Sequence, residues 1–288
     1  MTEAGSTTDP TAPVKSAVLC VSSHVARGTV GNRAAAFAAE ALGHPVWSVP
    51  TVLLPWHPGQ GPGTRMVWPG EGFASLMDDL AASPRLPEVG GVLTGYLGDA
   101  DQPAAIARLV EAARANGALY CCDPVIGGPR GLYVAEPLAE AIRDVLVPRA
   151  DILTPNRFEL AWLAGHDLPD NAALVEAARA LGRPRTLVTS AHMPEGRTGN
   201  LLVTPSRTLL AGHDAVSAPN SGTGDLTASL FLTGLLDGRG EADALARASA
   251  AVLDVMRATA EAGADELSLE TARPMLERPR SRVTLEEL

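Results

Sequence analysis

The chain has 288 residues, enough for one large domain or two small ones, and its 46% hydrophobic content supports a sizeable core. With only 4% aromatic residues that core is aliphatic and alanine-rich, and a formal net charge of −10 excludes nucleic acid and anionic membranes as main partners. No stretch approaches the roughly 18–20 apolar residues of a membrane span and no basic-then-apolar leader opens the sequence, so a cytoplasmic protein is expected.

Residues 1–14 are polar and rich in Thr, Pro and Ala, which predicts a disordered tail. Short β-branched or aliphatic runs then alternate with helical patterns. Strands are expected at Ala17–Val21, Val46–Leu54, Val89–Thr94, Leu119–Cys122, Ile152–Leu153 and Thr186–Thr189. Helices are expected between them at Asn32–Leu42, Gly72–Ala82, Pro103–Asn116, Leu138–Leu146, Arg157–Ala164 and Ala172–Leu181. Leu201–Thr204 and Thr208–Leu210 flank Pro205-Ser206-Arg207 as a hairpin, and helices follow at Thr223–Leu236, Ala242–Thr259 and Leu269–Leu276. The alternation predicts an α/β fold, a mainly parallel central sheet with helices on both faces. Without an internal repeat or linker, it reads as a single domain over 15–277 with a C-terminal tail at 278–288.

Cys20, Cys121 and Cys122 fit neither a disulfide framework nor a metal spacing and read as small core fillers. Lys15 is the one lysine, and every other Lys/Arg position is arginine. That excludes the Gly-Lys-Ser/Thr phosphate loop of Walker-type nucleotidases and a covalently held pyridoxal phosphate.

In such sheets ligands sit at the carboxyl ends of the strands. There this sequence places Ser22-Ser23-His24, His57, Thr94-Gly95-Tyr96, Asp123-Pro124, Thr154-Pro155-Asn156 and Thr189-Ser190, each of which also reads as an ordinary helix cap. Asn156 and Glu159, three apart behind Pro155, share one side of a first helical turn. They are either a capping box or, with Asp123, the surroundings of hydrated Mg²⁺ and nucleotide phosphates. Gly222-Thr223-Gly224-Asp225 opens the apolar run Leu226–Leu236, so backbone N–H groups at a positive helix end form an anion site. A carboxylate beside an anion makes sense if Asp225 takes a proton from a hydroxyl attacking phosphorus; otherwise the turn is a simple helix start.

These residues match something specific. Gly222-Thr223-Gly224-Asp225 and Thr154-Pro155-Asn156-x-x-Glu159 resemble the anion-hole and metal motifs of the ribokinase-like superfamily of small-molecule kinases. Ser23-His24-Val25-x-Arg27-Gly28-x-Val30-Gly31-Asn32-Arg33, then Val49-Pro50-Thr51-Val52, His57, Leu93-Thr94-Gly95-Tyr96-Leu97-Gly98 and Cys122-Asp123-Pro124-Val125-x-Gly127, are similar to the pyridoxal kinase family within it. The resemblance covers about Val18 to Met256 and implies a ribokinase-like three-layer sandwich and an ATP-dependent pyridoxal kinase. It implies that Ser23 hydrogen-bonds the pyridine ring, with His57 and Tyr96 lining the substrate pocket. Asp123, Thr154, Asn156, Glu159, Thr189 and Ser190 would face ATP, with Asp123 and Glu159 holding Mg²⁺ through water. Gly222, Thr223 and Gly224 would cradle the transferring phosphoryl group, and Asp225 would be the base. A monovalent cation such as K⁺ is a further candidate cofactor, and a homodimer is the expected assembly. With no lysine in the ordered chain, backbone amides and Mg²⁺ are expected to carry the phosphate charge.

Three departures stand out. Pro58-Gly59 follows His57 where the family has a substrate-contacting threonine, and Gly128 stands where some members place an acidic metal ligand. Leu53–Trp68, rich in Pro and Gly, reads as a remodelled lid. Kinases for another hydroxymethyl heterocycle such as hydroxymethylpyrimidine, or a non-catalytic vitamer-binding protein, are the alternatives. Hydroxymethylpyrimidine kinases, however, carry a different glycine-rich N-terminal motif and often Cys in the catalytic slot.

Overall fold

A computed structural model describes residues 15–288; the tail expected at 1–14 lies outside the described residues. The chain order is β1 (Ala17–Val25), α1 (Asn32–Ala41), β2 (Val46–Leu54), β3 (Met66–Val67), α2 (Gly70–Ala81), β4 (Val89–Thr94), α3 (Gln102–Ala115) and β5 (Leu119–Cys122). A hairpin of β6 (Gly127–Gly128) and β7 (Gly131–Leu132) precedes α4 (Glu136–Ala141), β8 (Ile152–Leu153), α5 (Arg157–Ala164), α6 (Asn171–Ala180) and β9 (Arg185–Val188). Then come β10 (Arg197–Val203), β11 (Thr208–Asp214), α7 (Thr223–Leu236), α8 (Glu241–Ala262), α9 (Arg273–Glu277) and β12 (Thr284–Glu287).

Among the described residues, ten strands make one sheet in the order β12-β11-β10-β9-β8-β5-β4-β1-β2-β3. The six from β9 to β2 run parallel, and antiparallel strands finish both margins. Alternation along each strand feeds two cores. Val18, Cys20, Cys121 and Ile152 pack with the alanines of α1 and with α7 and α8. Leu19, Val21, Tyr120 and Cys122 pack on the other face with α2, α3 and the α4 region. Cys121 and Cys122 thus point to opposite faces, and with Cys20 they are buried and unpaired. The three layers are those the alternation predicted.

Helix α7 sits inside. Leu226–Gly234 is buried all round, and its hydroxyls are satisfied locally: Thr227 Oγ1 donates to Thr223 O at 2.7 Å and Thr233 Oγ1 to Ser229 O at 2.7 Å. Ser229 Oγ donates instead to Ala35 O of α1 at 2.7 Å, tying the two helices together.

Several segments differ from expectation, among them the hairpin arms, which run over Arg197–Val203 and Thr208–Asp214. Strand β1 runs on to Val25, carrying Ser22 and Ser23 into buried positions. The helix expected over Leu138–Leu146 is α4 followed by a wider π turn at Ile142–Leu146, because Pro148 has no N–H to bond Asp144. The helix expected over Leu269–Leu276 is a 3₁₀ turn at Leu269–Thr271 and then α9. The reading of 278–288 as a tail is corrected: β12 pairs with β11, and Arg207 forms a two-bonded ion pair with Glu287. At the opposite, amino end of β1, Lys15 Nζ pairs with Asp237 Oδ1 at 2.7 Å.

Candidate active site

The carboxyl ends of β1, β4, β5 and β8 meet the amino ends of α1 and α7, as the topology of an open α/β sheet requires of a ligand site. Both helices begin at glycines in left-handed or otherwise non-helical backbone, Gly31 (φ 59°) and Gly222 (φ 93°). Each position also has no room for a side chain. A Cβ on Gly31 would lie 2.4 Å from Ser23 O and Oγ, and one on Gly222 would lie 2.1 Å from Thr29 O. Asn32 locks the start of α1 by donating to Ser22 O at 3.1 Å and Val49 O at 2.9 Å.

Asp225 occupies the first turn of α7 and accepts the Gly31 N–H at 3.0 Å on Oδ2. Two helix N-termini therefore converge on one carboxylate. Burial raises its pKa to about 6, against the opposing pull of the Gly31 N–H and its own backbone N–H. A Cβ on Gly95 would come within 2.4 Å of Ser22 Oγ and 3.7 Å of Asp225 Oδ1, so the β4 turn also closes on this group.

Of the two readings of Asn156 and Glu159, the capping box is the one the structure shows. The two form a full capping box on α5: Asn156 Oδ1 accepts from Glu159 N at 3.0 Å, and Glu159 Oε2 accepts from Asn156 N at 2.8 Å. Glu159 Oε1 also accepts from Ile126 N at 3.2 Å, and Asn156 Nδ2 donates to Gly127 O at 2.9 Å. The box therefore clasps the β6–β7 hairpin as well as the helix. Burial lifts Glu159 to about 8 despite these N–H donors, with Asp225 adding to the rise. Asp123 is pushed well up by burial, then by Glu159 and Asp225. The Thr154 hydroxyl lies close enough to Asp123 to pull the other way, yet lacks the geometry of a formed hydrogen bond. Asp225 thus raises both Glu159 and Asp123, and Glu159 raises Asp123, a clustering of carboxylates that a divalent ion would relieve.

That donor set fits Mg²⁺, which takes few carboxylates and keeps water and phosphate oxygens. Among the described residues no group of three His, Cys, Asp or Glu side chains forms a dedicated metal cage. Both Glu159 oxygens already serve backbone amides, so its contact to an ion would run through water. At Gly128 a Cβ would meet the Tyr133 hydroxyl, so a side chain there would require the exposed Tyr133 ring to move aside.

A cavity of about 290 Å³ opens over the Gly222 turn. Ser221, Thr29, His57, Gly59, Gln60 and Arg130 line it, together with the carboxylates of Asp265 and Glu266. The Pro- and Gly-rich segment after β2 is a hairpin closed by β3, and it delivers His57 to the cavity. His57 Nδ1 accepts from Gly59 N at 3.1 Å, so the proton of the neutral ring sits on Nε2 as a donor. Burial lowers the His57 pKa, with Glu266 opposing. Arg27 and Gln60 both bind Glu266, at 2.9 and 2.6 Å, and hold the rim together.

The expected residues are distributed unevenly. Asp123, Glu159 and Asp225 come together; Thr189 joins Asn156 through a strand bridge, and its N–H donates to Pro155 O at 2.9 Å. Ser190 has φ 56° and is exposed, a backbone state unusual for serine and frequent at ligand sites. Ser23 is buried against Gly31, and Tyr96 packs with Val25, Val52 and Leu54, so neither borders the cavity. Sequence reasoning missed Gly31, Arg130 and Glu266. The first stood within the quoted N-terminal motif as a glycine that needed a reason; the other two had no local signal.

A family model described as phosphomethylpyrimidine kinase matches residues 80–270. The chain is 40% identical over 269 residues to pyridoxal kinase PdxY of Granulibacter bethesdensis, covering 89% of this chain and 94% of that one. It is 33% identical over 282 residues to the same enzyme of Corynebacterium diphtheriae, covering 94% and 99%. Among solved structures, pyridoxal kinase from Leishmania donovani in complex with ADP and pyridoxamine superposes with a TM-score of 0.88 at 28% identity, covering 95% of this chain and 99% of that one.

Proposed function

The chain belongs to the pyridoxal kinase family, with a ribokinase-like fold, and on that premise we propose that it transfers the γ-phosphoryl group of ATP to the 5′-hydroxyl of pyridoxal. The observation that carries this reading is the convergence of the α1 and α7 N-termini on Asp225, with Gly31 N–H 3.0 Å from Oδ2. That bond aims the carboxylate, and the raised pKa of about 6 makes it a better proton acceptor than an exposed aspartate while leaving it ionised near neutrality.

The 5′-oxygen attacks the γ-phosphorus as its proton passes to Asp225, and the bond from phosphorus to the β–γ bridging oxygen breaks to release ADP. Charge spreads over the three equatorial oxygens in a loose transition state, so alignment and electrostatics dominate. The Gly222 and Gly224 N–H groups would face those oxygens, whereas the Thr223 N–H is already donated to Asn220 O at 3.2 Å. His57 offers Nε2–H to the substrate, and the Gly59 N–H orients that ring. Ser23 and Tyr96 act from behind the wall, through Gly31 and the apolar cluster under Val30. Asn156, Thr189 and Ser190 border the nucleotide side, and Asp123 and Glu159 would hold Mg²⁺ through water. When bound, that ion would neutralise phosphate charge.

Exposed Trp56, Met66 and Trp68 on the β2–β3 hairpin support the homodimer expectation, which sedimentation tests. No described helix is long and apolar enough to cross a membrane, and a cytoplasmic setting is part of the same reading. The deciding assay offers ATP and Mg²⁺ with pyridoxal, pyridoxine, pyridoxamine or hydroxymethylpyrimidine and measures ADP. Fastest turnover on a B6 vitamer supports the proposal. Preference for hydroxymethylpyrimidine would favour the reading suggested by the family model's description, and saturable vitamer binding without ADP would indicate a binding protein. Exchanging Na⁺ for K⁺ in the same assay tests the monovalent-cation expectation.

A further inference from the structure

Hairpin β6–β7 turns through Pro129 and Arg130, with Gly131 at φ 108° completing the reversal. Its base has no slack. Glu159 accepts the Ile126 and Gly127 N–H groups, Asn156 donates to Gly127 O, and Tyr133 N donates to Ile126 O at 2.8 Å. A Cβ on Gly127 would lie 2.3 Å from the Phe158 ring. The tip, by contrast, is exposed, and Arg130 lines the same cavity as Ser221, the residue before the anion-binding turn.

Charge at the rim is unevenly committed. Arg27 is spent on Asp265 and Glu266, with contacts of 2.7 and 2.9 Å. Arg108, Arg114 and Arg207 elsewhere are likewise bound to carboxylates. No carboxylate or carbonyl among the described residues engages the Arg130 guanidinium, and no other cationic side chain lines the cavity. A chain with a single lysine, held at the far end of β1, thus keeps one uncommitted cation in the cavity that Ser221, next to the anion-binding turn, also lines.

We propose that Arg130 contacts the transferring phosphoryl group, supplying from the hairpin tip the positive charge that the sequence assigned to backbone amides and metal alone. The guanidinium fork matches phosphate oxygens in two-bonded geometry. The Asn156/Glu159 box then has a second role, because it fixes the base from which Arg130 reaches. This inference rests on the proposed phosphoryl transfer.

The test compares Arg130→Ala and Arg130→Lys with the wild-type enzyme. Loss of one preorganised donor lowers kcat about 10²–10³-fold, so Arg130→Ala is expected in that range with the pyridoxal KM little changed. Arg130→Lys falls between, since an ammonium restores charge without the fork. Added guanidinium ion is expected to restore part of the Arg130→Ala rate. Calorimetry without acceptor is expected to show the ATP-over-ADP preference falling in Arg130→Ala, which a purely structural role would not produce. The proposal is overturned if Arg130→Ala keeps kcat within about threefold of wild type, or if its ATP/ADP preference is unaltered. If the wild-type protein phosphorylates no acceptor, the kinase reading fails while the calorimetric comparison still decides Arg130.

Discussion

Replacing Asp225 with asparagine isolates proton transfer from everything else the site does. The amide keeps the outline of the carboxylate, and its oxygen can go on accepting the Gly31 N–H now found at 3.0 Å. What disappears is the proton acceptor. A positioned general base contributes roughly 10²–10⁴-fold, which is about 3–5 kcal/mol of transition-state stabilisation. Asp225→Asn should therefore lower kcat by that factor while the affinities for ATP and pyridoxal stay near wild type. The pH profile gives an independent check. With its pKa raised to about 6, Asp225 is about nine-tenths ionised at pH 7 and about one-tenth at pH 5. Wild-type kcat should fall about tenfold over that interval, and the residual rate of Asp225→Asn should lack the acid limb. Saturating ATP and pyridoxal, with the product separated by chromatography, avoids coupling enzymes that themselves respond to pH. A variant within about tenfold of wild type, or one that keeps the wild-type acid limb, would refute the assignment of Asp225 as base.

Gly222→Ala must relieve both a positive φ of 93° and a Cβ 2.1 Å from Thr29 O; strain of about 1–3 kcal/mol predicts a melting temperature lower by several degrees, read by calorimetry, together with a loss of turnover. Glu159 has a folded pKa raised to about 8, so its contribution to stability is largest below its ordinary value of 4.5 and declines as pH rises towards 8. Glu159→Gln, which cannot lose that proton, should be most destabilised relative to wild type near pH 5, and the gap should narrow by pH 9 in melts without Mg²⁺; a gap that widens with pH contradicts the sign. Cys20 and Cys122, pushed to about 12 by burial, and Cys121, pushed well up as well, should resist a thiol reagent in the native protein and react on unfolding.

The central sheet was legible because Val89–Thr94 and Leu119–Cys122 are buried on both faces and read as continuous apolar runs. Strand β1 was read short because Ser22 and Ser23, buried at 2% and 5% exposure, extend the strand into the site and break the apolar pattern there. Hairpin β6–β7 leaves no periodicity, since three of its four strand residues are glycine. β12 is exposed along its whole length, and four residues of Thr-Leu-Glu-Glu look the same on a sheet edge as in a tail. In the site, Asp225 and Glu159 were legible because each sits in a local motif tied to a helix start. Gly31 reaches Asp225, and Arg130 and Glu266 reach the cavity, from segments far apart in the chain that only the fold brings together. Of the two readings offered for Asn156 and Glu159, the capping box was legible because its Asn-x-x-Glu spacing is local to one helix start.

Lys15 is paired with Asp237, roughly 25 Å of strand β1 away from Ser23. Pyridoxal and its phosphate are aldehydes, and an aldehyde condenses with any accessible primary amine to form an imine. The cavity walls supply hydroxyls, an imidazole, amides, carboxylates and a guanidinium, but no primary amine. A catalyst that must hand a reactive carbonyl to other proteins is thereby spared covalent capture by its own product. The use of arginine for nearly every cation in this chain can be read as chemical inertness towards its cargo as well as a choice of charge.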